Sequence, residues 1–245
     1  MSATGSCCRQ RAGPLVKECR ALRPRLRAED TDTDRKEKLK LRREQNGTFN
    51  RKQVDKLELR LALFGRNGWM HTLTFDNANL PHHFREVRGE LQAFFKRCQR
   101  WRKNLDKPPS FDYLYAIEGL HGEHRWHVHF ITDYNELSPA EVRFLWKKGM
   151  VDSEPVLLGS GGFRRMAEYL NKERTDGIMI PIGRRPWSPS LTLSAKLPAP
   201  VKWKDSSGVI DVPADAVWVR RGSVENDFGA FYYASWIEPA SRATD

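Results

Sequence analysis

From Val54 to Gly65 the chain reads VDKLELRLALFG, apolar and polar residues alternating with the period of a half-buried strand, so a first strand is expected there. GWMHTLTFDN follows, rich in aromatic and β-branched residues and closed by an Asp-Asn turn, and predicts a second. The period then changes. Phe84, Val87, Leu91, Phe94, Phe95 and Trp101 recur at helical spacing, and Pro108-Pro109 stops the run. SFDYLYAIEG and RWHVHFIT flank LHGEH, giving strand, turn and returning strand. Ser138-Pro139 opens a helix carrying Val142, Phe144, Leu145 and Trp146. A short strand near residues 156–158 meets GSGG, a helix runs over about residues 163–173, and PIGRRPWSPS breaks the pattern. Weaker strands, AVWVRRG and FGAFYYASWI, lie within residues 190–240. The order β-β-α-β-β-α-β-α predicts an α+β fold, one antiparallel sheet with helices packed on one face.

Charge narrows the partner. The net charge of +11 and a pI near 9.7 favour an acidic polymer, nucleic acid before a membrane surface. No run approaches the roughly 18 apolar residues of a membrane span, and MSATGSCCRQR lacks the apolar core of a secretory signal, so a cytoplasmic protein is expected. Residues 1–50 carry dense Arg and Lys with interspersed acids and few aromatics, the composition of a basic, disordered arm. Three of the four cysteines (Cys7, Cys8, Cys19) fall in that arm, and with Cys98 they show no CxxC spacing; neither disulfides nor a zinc cluster is expected.

Two imidazoles, His127 and His129, stand one residue apart in the strand HRWHVHFIT. Residues i and i+2 of a strand share a face and lie about 6.6 Å apart along it, so both rings point one way while Trp126, Val128 and Phe130 point the other. Such a pair can converge on one cation, with metal–nitrogen distances of about 2.1 Å. Glu118, at the end of YLYAIE, can reach across the hairpin as a third ligand; Glu123 and His121 in the same turn are alternatives. A His-His-Glu set with open positions suits a divalent ion that also holds a phosphate oxygen.

A second element adds a nucleophile. In GGFRRMAEYLNKER, Phe163, Met166, Ala167 and Leu170 form one apolar stripe, and Tyr169 lies off it with Arg165 and Lys172 on the same flank. A phenol is a poor nucleophile until positive charge or a metal stabilises the phenolate.

An HxH pair or an exposed tyrosine beside a lysine is common alone, but here they occur in a particular order. HTLTFDN, AIEGLHGEHRWHVHF and AEYLNK follow one another as the three motifs of the HUH endonucleases do, and residues 58–180 resemble that superfamily, in particular the rolling-circle replication initiators of plasmids and bacterial viruses. The resemblance implies an RRM-like five-stranded antiparallel sheet with the histidines on a central strand. It implies that His127, His129 and Glu118 bind Mg²⁺ or Mn²⁺. Tyr169 would attack phosphorus to leave a 5′-phosphotyrosine and a free 3′-hydroxyl, and Lys172 would stabilise the developing charge. Arg165, Arg125 and Thr74 are the candidate DNA contacts. The expected partner is single-stranded DNA at a replication origin. A host helicase and polymerase are expected too, since no GxxxxGK[ST] motif is present.

The expected division is a basic arm (residues 1–50), an endonuclease domain (51–180) and a C-terminal extension of unknown role (181–245). Two rivals remain. A single-tyrosine transposase or mobilisation protein would share the chemistry, although relaxases usually place the tyrosine before the histidines. A non-catalytic RRM-like module would instead stack bases on Tyr113, Tyr115 or Trp69, without metal and without a covalent adduct.

Overall fold

The alternation in VDKLELRLALFG does not make a strand. Residues 48–62 form a helix, in which Val54, Leu57, Glu58, Leu61 and Ala62 are buried at i, i+3, i+4, i+7 and i+8. The run of leucines fits both periods, and its intervening Asp, Lys, Glu and Arg with a single β-branched residue favour the helix. The computed structural model describes residues 4–23, 48–119, 125–156, 161–171, 187–226 and 229–239.

The strands are β1 (Thr4–Ala12), β2 (Leu15–Arg23), β3 (Gly68–Thr74), β4 (Tyr113–Glu118), β5 (His127–Asp133), β6 (Val151–Pro155), β7 (Trp187–Pro189), β8 (Val201–Trp203), β9 (Trp218–Asn226) and β10 (Gly229–Ile237). The helices are α1 (Thr48–Ala62), α2 (Phe84–Asn104), α3 (Pro139–Trp146), α4 (Gly162–Leu170) and α5 (Leu191–Ala195). Two units result, one of residues 54–197 and one joining residues 1–53 to 198–245.

In the 54–197 unit the sheet order is β6-β3-β5-β4-β7, antiparallel throughout, so the histidine strand is central as the resemblance implies. The expected strand near residues 156–158 begins earlier, as β6, an edge strand whose only buried residue is Val151 and which therefore carries little hydrophobic signal. One face of the sheet (Leu73, Ile117, Val128, Phe130, Val151) packs on Phe84, Val87, Leu91, Phe94 and Cys98 of α2 and on Val142, Leu145 and Trp146 of α3. Phe94 meets Phe130 and Trp146 edge-on, with ring centroids 5.3 and 5.5 Å apart. Ser138 caps α3 in a capping box with Glu141, the start that Ser-Pro predicted. At its other end Arg97 donates to the carbonyls of Leu145 and Trp146. These helices hold one face of β5 rigidly and turn its other face to the site.

His71 shows what the helix-side face does to an imidazole. It is fully buried, shares 2.8 Å with the Ser153 hydroxyl, and burial pushes its pKa down to about 4. It stays neutral and plays no part in the cluster on the opposite face.

The second unit corrects the basic-arm expectation. Residues 4–23, expected to be disordered, form the hairpin β1–β2 in the middle of a second antiparallel sheet, ordered β8-β1-β2-β10-β9. The rest of the arm, residues 24–47, lies outside the described residues. Composition misled because the arginines pair with acids: Arg20 bonds Glu18 at 2.9 Å and Asp205 at 2.5 Å, and Arg9 bonds Glu18. Residues 181–245 are therefore not one extension. Trp187 and α5 belong to the histidine sheet's unit, and residues from 198 onward complete the N-terminal sheet. Cys8 and Cys19 face each other across β1–β2, all four cysteines are free thiols, and burial beside Cys8 pushes the Cys19 thiol up to about 11. Among the described residues no helix is long and apolar enough to cross a membrane.

A truncation tests this arrangement. Removing residues 1–23 takes away both strands between β8 and β10, so calorimetry is expected to show loss of the second sheet's unfolding transition. An unchanged thermogram would mean that the hairpin is dispensable.

Candidate metal centre and its tyrosine

The register of β4, β5 and β3 builds the site. Glu118 is the direct cross-strand partner of His127, and Thr72 is the partner of His129 on the other side. Direct partners share a face. The three chemical groups therefore meet on the side of the sheet away from α2 and α3.

One carboxylate oxygen, Oε2 of Glu118, lies 2.9 Å from His127 Nε2 and 3.0 Å from His129 Nε2. The three residues are the one metal-capable cluster among the described residues. Their surroundings fix which nitrogen faces the carboxylate. His127 Nδ1 lies 3.0 Å from the Arg125 carbonyl, which can only accept, so Nδ1 carries the proton and the neutral ring turns a bare Nε2 inward. His129 Nδ1 lies 3.3 Å from the Thr72 hydroxyl, again leaving Nε2 toward Glu118. Acceptors crowded in this way need a proton or a cation between them. Two ligand atoms about 2.1 Å from one ion and 90° apart sit about 3.0 Å from each other, which the observed separations match. The donor set fits a divalent ion, and each histidine has the outer hydrogen bond that orients a metal ligand.

Tyr169 comes from α4, whose Phe163, Ala167 and Leu170 are buried while Met166 is half-buried, close to the predicted stripe. Its phenolic oxygen lies 3.2 Å from His129 Nε2, and the rings meet edge-on at 5.2 Å. Thus α2 and α3 pack on one face as expected, and the tyrosine helix lies over the other. At 42% exposure the phenol remains open to a ligand.

Two residues that the sequence did not single out hold this helix. Arg164 donates to Asp55 on α1 at 2.5 Å and to Glu168 at 2.7 Å, tying α4 to α1. Asn171, buried at the helix end, accepts a hydrogen bond from the Trp187 indole at 3.2 Å, anchoring α4 to β7. Only the polar residue at the helix terminus signalled the second contact, since its partner lies sixteen positions on.

The remaining candidates divide. Arg125 and Arg165 are exposed, as phosphate contacts would be. Thr74 is engaged elsewhere: its hydroxyl donates to the Met150 carbonyl and accepts from the Met150 N–H, closing β3 onto the start of β6. Thr72, two residues earlier, is the threonine that touches the site. Lys172, Glu123 and His121 lie outside the described residues.

Residues 68–174 match the family model of the replication-associated protein ORF2. The match is to a rolling-circle replication initiator family. It runs from β3 to just beyond α4, so the replication-associated segment takes in Thr72, Glu118, His127, His129 and Tyr169 and excludes the second sheet. No curated protein and no solved structure matches the chain.

Thr72 offers a test of the cluster that leaves its ligands intact. Thr72→Val removes the hydroxyl beside His129 Nδ1 and is expected to weaken Mn²⁺ binding about tenfold, the usual scale for an outer-sphere partner. An unchanged Mn²⁺ titration would show that Thr72 does not orient His129.

Proposed function

We propose that the chain starts rolling-circle replication by nicking single-stranded origin DNA through Tyr169 and later rejoining the strand. The observation that carries this reading is a phenolic oxygen 3.2 Å from a nitrogen of a His-His-Glu cluster. The replication-associated match over the same residues supports it.

A divalent ion, Mg²⁺ or Mn²⁺, held by Glu118, His127 and His129, would polarise the scissile phosphate and offset its developing charge. Tyr169 Oη attacks phosphorus: the Oη–P bond forms and the P–O3′ bond breaks. The phenolic proton passes to solvent, and the departing oxygen takes up a proton to become a 3′-hydroxyl. The product is a 5′-phosphotyrosine, an ester like the one broken, so a 3′-hydroxyl can later reverse the step without ATP. Lys172 stabilises the phenolate, and Arg125 and Arg165 hold flanking phosphates. A host helicase opens the duplex and a host polymerase extends the 3′ end, in the cytoplasm of the host cell. End-labelled origin DNA incubated with the protein and Mn²⁺ should yield an adduct that survives denaturation; nicked DNA free of protein would overturn the reading.

One tyrosine serves this chemistry. The position one turn before Tyr169 is Arg165 and the one a turn after is Glu173, so α4 carries no second phenol. Tyr232 and Tyr233 point to opposite faces of β10. Tyr232 Oη donates to Glu225 at 2.7 Å, a bond that pushes its pKa up, and Arg220 lies over Tyr233. A Tyr232→Phe, Tyr233→Phe double variant should therefore nick and rejoin oligonucleotides at the wild-type rate. Loss of joining with nicking preserved would locate a second nucleophile in β10.

A further inference from the structure

The second sheet has two unlike faces. On one, Val16, Ala234 and Trp236 are buried under Ile210, Val212 and Ala216, and the charges of Arg9, Glu18, Arg20 and Asp205 pair with each other. The other face is organised in rows set by the strand register. One row reads Lys202, Cys8, Cys19, Tyr233 and Gly222. The next reads Ser6, Ala21, Phe231 and Val224, and on the other side lies Gln10, Lys17, Ser235 and Arg220.

Three properties of this face belong together. It carries two aromatic rings, Phe231 and Tyr233, with centroids 6.3 Å apart and planes 31° from parallel, and Phe231 is 41% exposed. The residues around the rings are small (Ser6, Cys8, Cys19, Ala21, Gly222), so nothing rises beside them. Tyr233 lies across the backbone of Gly222, where a Cβ would come within 2.5 Å of its hydroxyl. Finally, these rows contain Lys17, Lys202 and Arg220 and no carboxylate, and Arg220 sits 5.6 Å from the Tyr233 ring centre.

We infer that this face is a second binding site, for single-stranded DNA, in which successive bases stack on Phe231 and Tyr233 while Lys17, Lys202 and Arg220 meet the phosphates. Exposed rings on a flat sheet suit the faces of unpaired bases, which a duplex hides, and an all-cationic rim suits a phosphate backbone. The choice of DNA over RNA rests on the proposed replication function; the rest follows from the face itself. Such a platform would hold a stretch of displaced or incoming strand apart from the bond being cut.

The test uses the full chain without added metal, so that cleavage does not enter, and reads the anisotropy of fluorescein-labelled (dT)15. Phe231→Ala and Tyr233→Ala should each weaken binding about tenfold. Phe231→Trp and Tyr233→Phe should restore it, and a His127→Ala, His129→Ala variant should keep it. The last result separates this site from the metal centre: loss of nicking with the platform's binding intact leaves the inference standing. Photocrosslinking of a 5-iododeoxyuridine oligonucleotide to the unmutated chain gives a second readout that no folding defect can disturb, with adducts expected in the Gly229–Ile237 strand. Unchanged affinity in a folded Phe231→Ala, Tyr233→Ala variant would overturn the inference, as would crosslinks that avoid this strand. Equal affinity for a 15-base-pair duplex, or tighter binding of (rU)15, would likewise reject single-stranded DNA as the occupant.

Discussion

Tyr169→Phe is expected to abolish the covalent protein–DNA adduct and leave binding of the same oligonucleotide almost unchanged. The substitution removes one oxygen from a side chain that is 42% exposed, and the edge-on contact of its ring with His129 survives. The fold has little reason to respond. The chemistry has every reason to, since no second phenol stands on α4. Removing a nucleophile outright should lower nicking by at least about a thousandfold, while the dissociation constant should move by no more than about twofold, because phosphate and base contacts supply the affinity. An adduct formed by the Phe variant would exclude Tyr169 as the nucleophile. Equal loss of binding and nicking would instead make the tyrosine a structural residue.

The second large effect concerns the cluster that Tyr169 touches. Chelation should stop nicking, and Mn²⁺ or Mg²⁺ should restore it. A His127→Ala, His129→Ala double variant should be inactive with either ion, because two of the three donors are gone. Glu118→Gln is the more discriminating change. It keeps the size of the side chain and removes the charge facing both Nε2 atoms at 2.9 and 3.0 Å. Mn²⁺ affinity should fall by at least about tenfold, with nicking partly recovered at high Mn²⁺ concentration. Wild-type Mn²⁺ affinity in the Gln variant would hand the third position to another residue, with Glu123 or His121 the first to try.

The site was more legible in the sequence than the fold around it. His127, His129 and Glu118 could be placed because strand parity is strict: a spacing of two fixes a face, and a hairpin brings the opposing strand within reach. Tyr169 could be placed because a helical stripe marks what lies off it. Thr72 needed one further step, since HTLTF puts Thr72 and Thr74 on the same parity and only the register decides which one meets His129. What failed was reasoning from composition alone. The leucine alternation at residues 57–63 satisfies two periods at once, and helix propensity decided between them. The arginines of residues 9–20 looked like a solvated arm because their partners, Glu18 aside, lie nearly two hundred residues away at Asp205 and Glu238. No local pattern reports a sheet closed by both ends of a chain.

The most direct test is a mass measurement on the adduct itself. Protein trapped on single-stranded origin DNA with Mn²⁺ can be digested with nuclease and then with trypsin, which cuts after Arg165 and Lys172. The account predicts that the peptide of residues 166–172, MAEYLNK, carries a 5′-phosphonucleotide, with fragment ions assigning it to Tyr169. A nucleotide on any other peptide, or nicked DNA with every peptide unmodified, would contradict it.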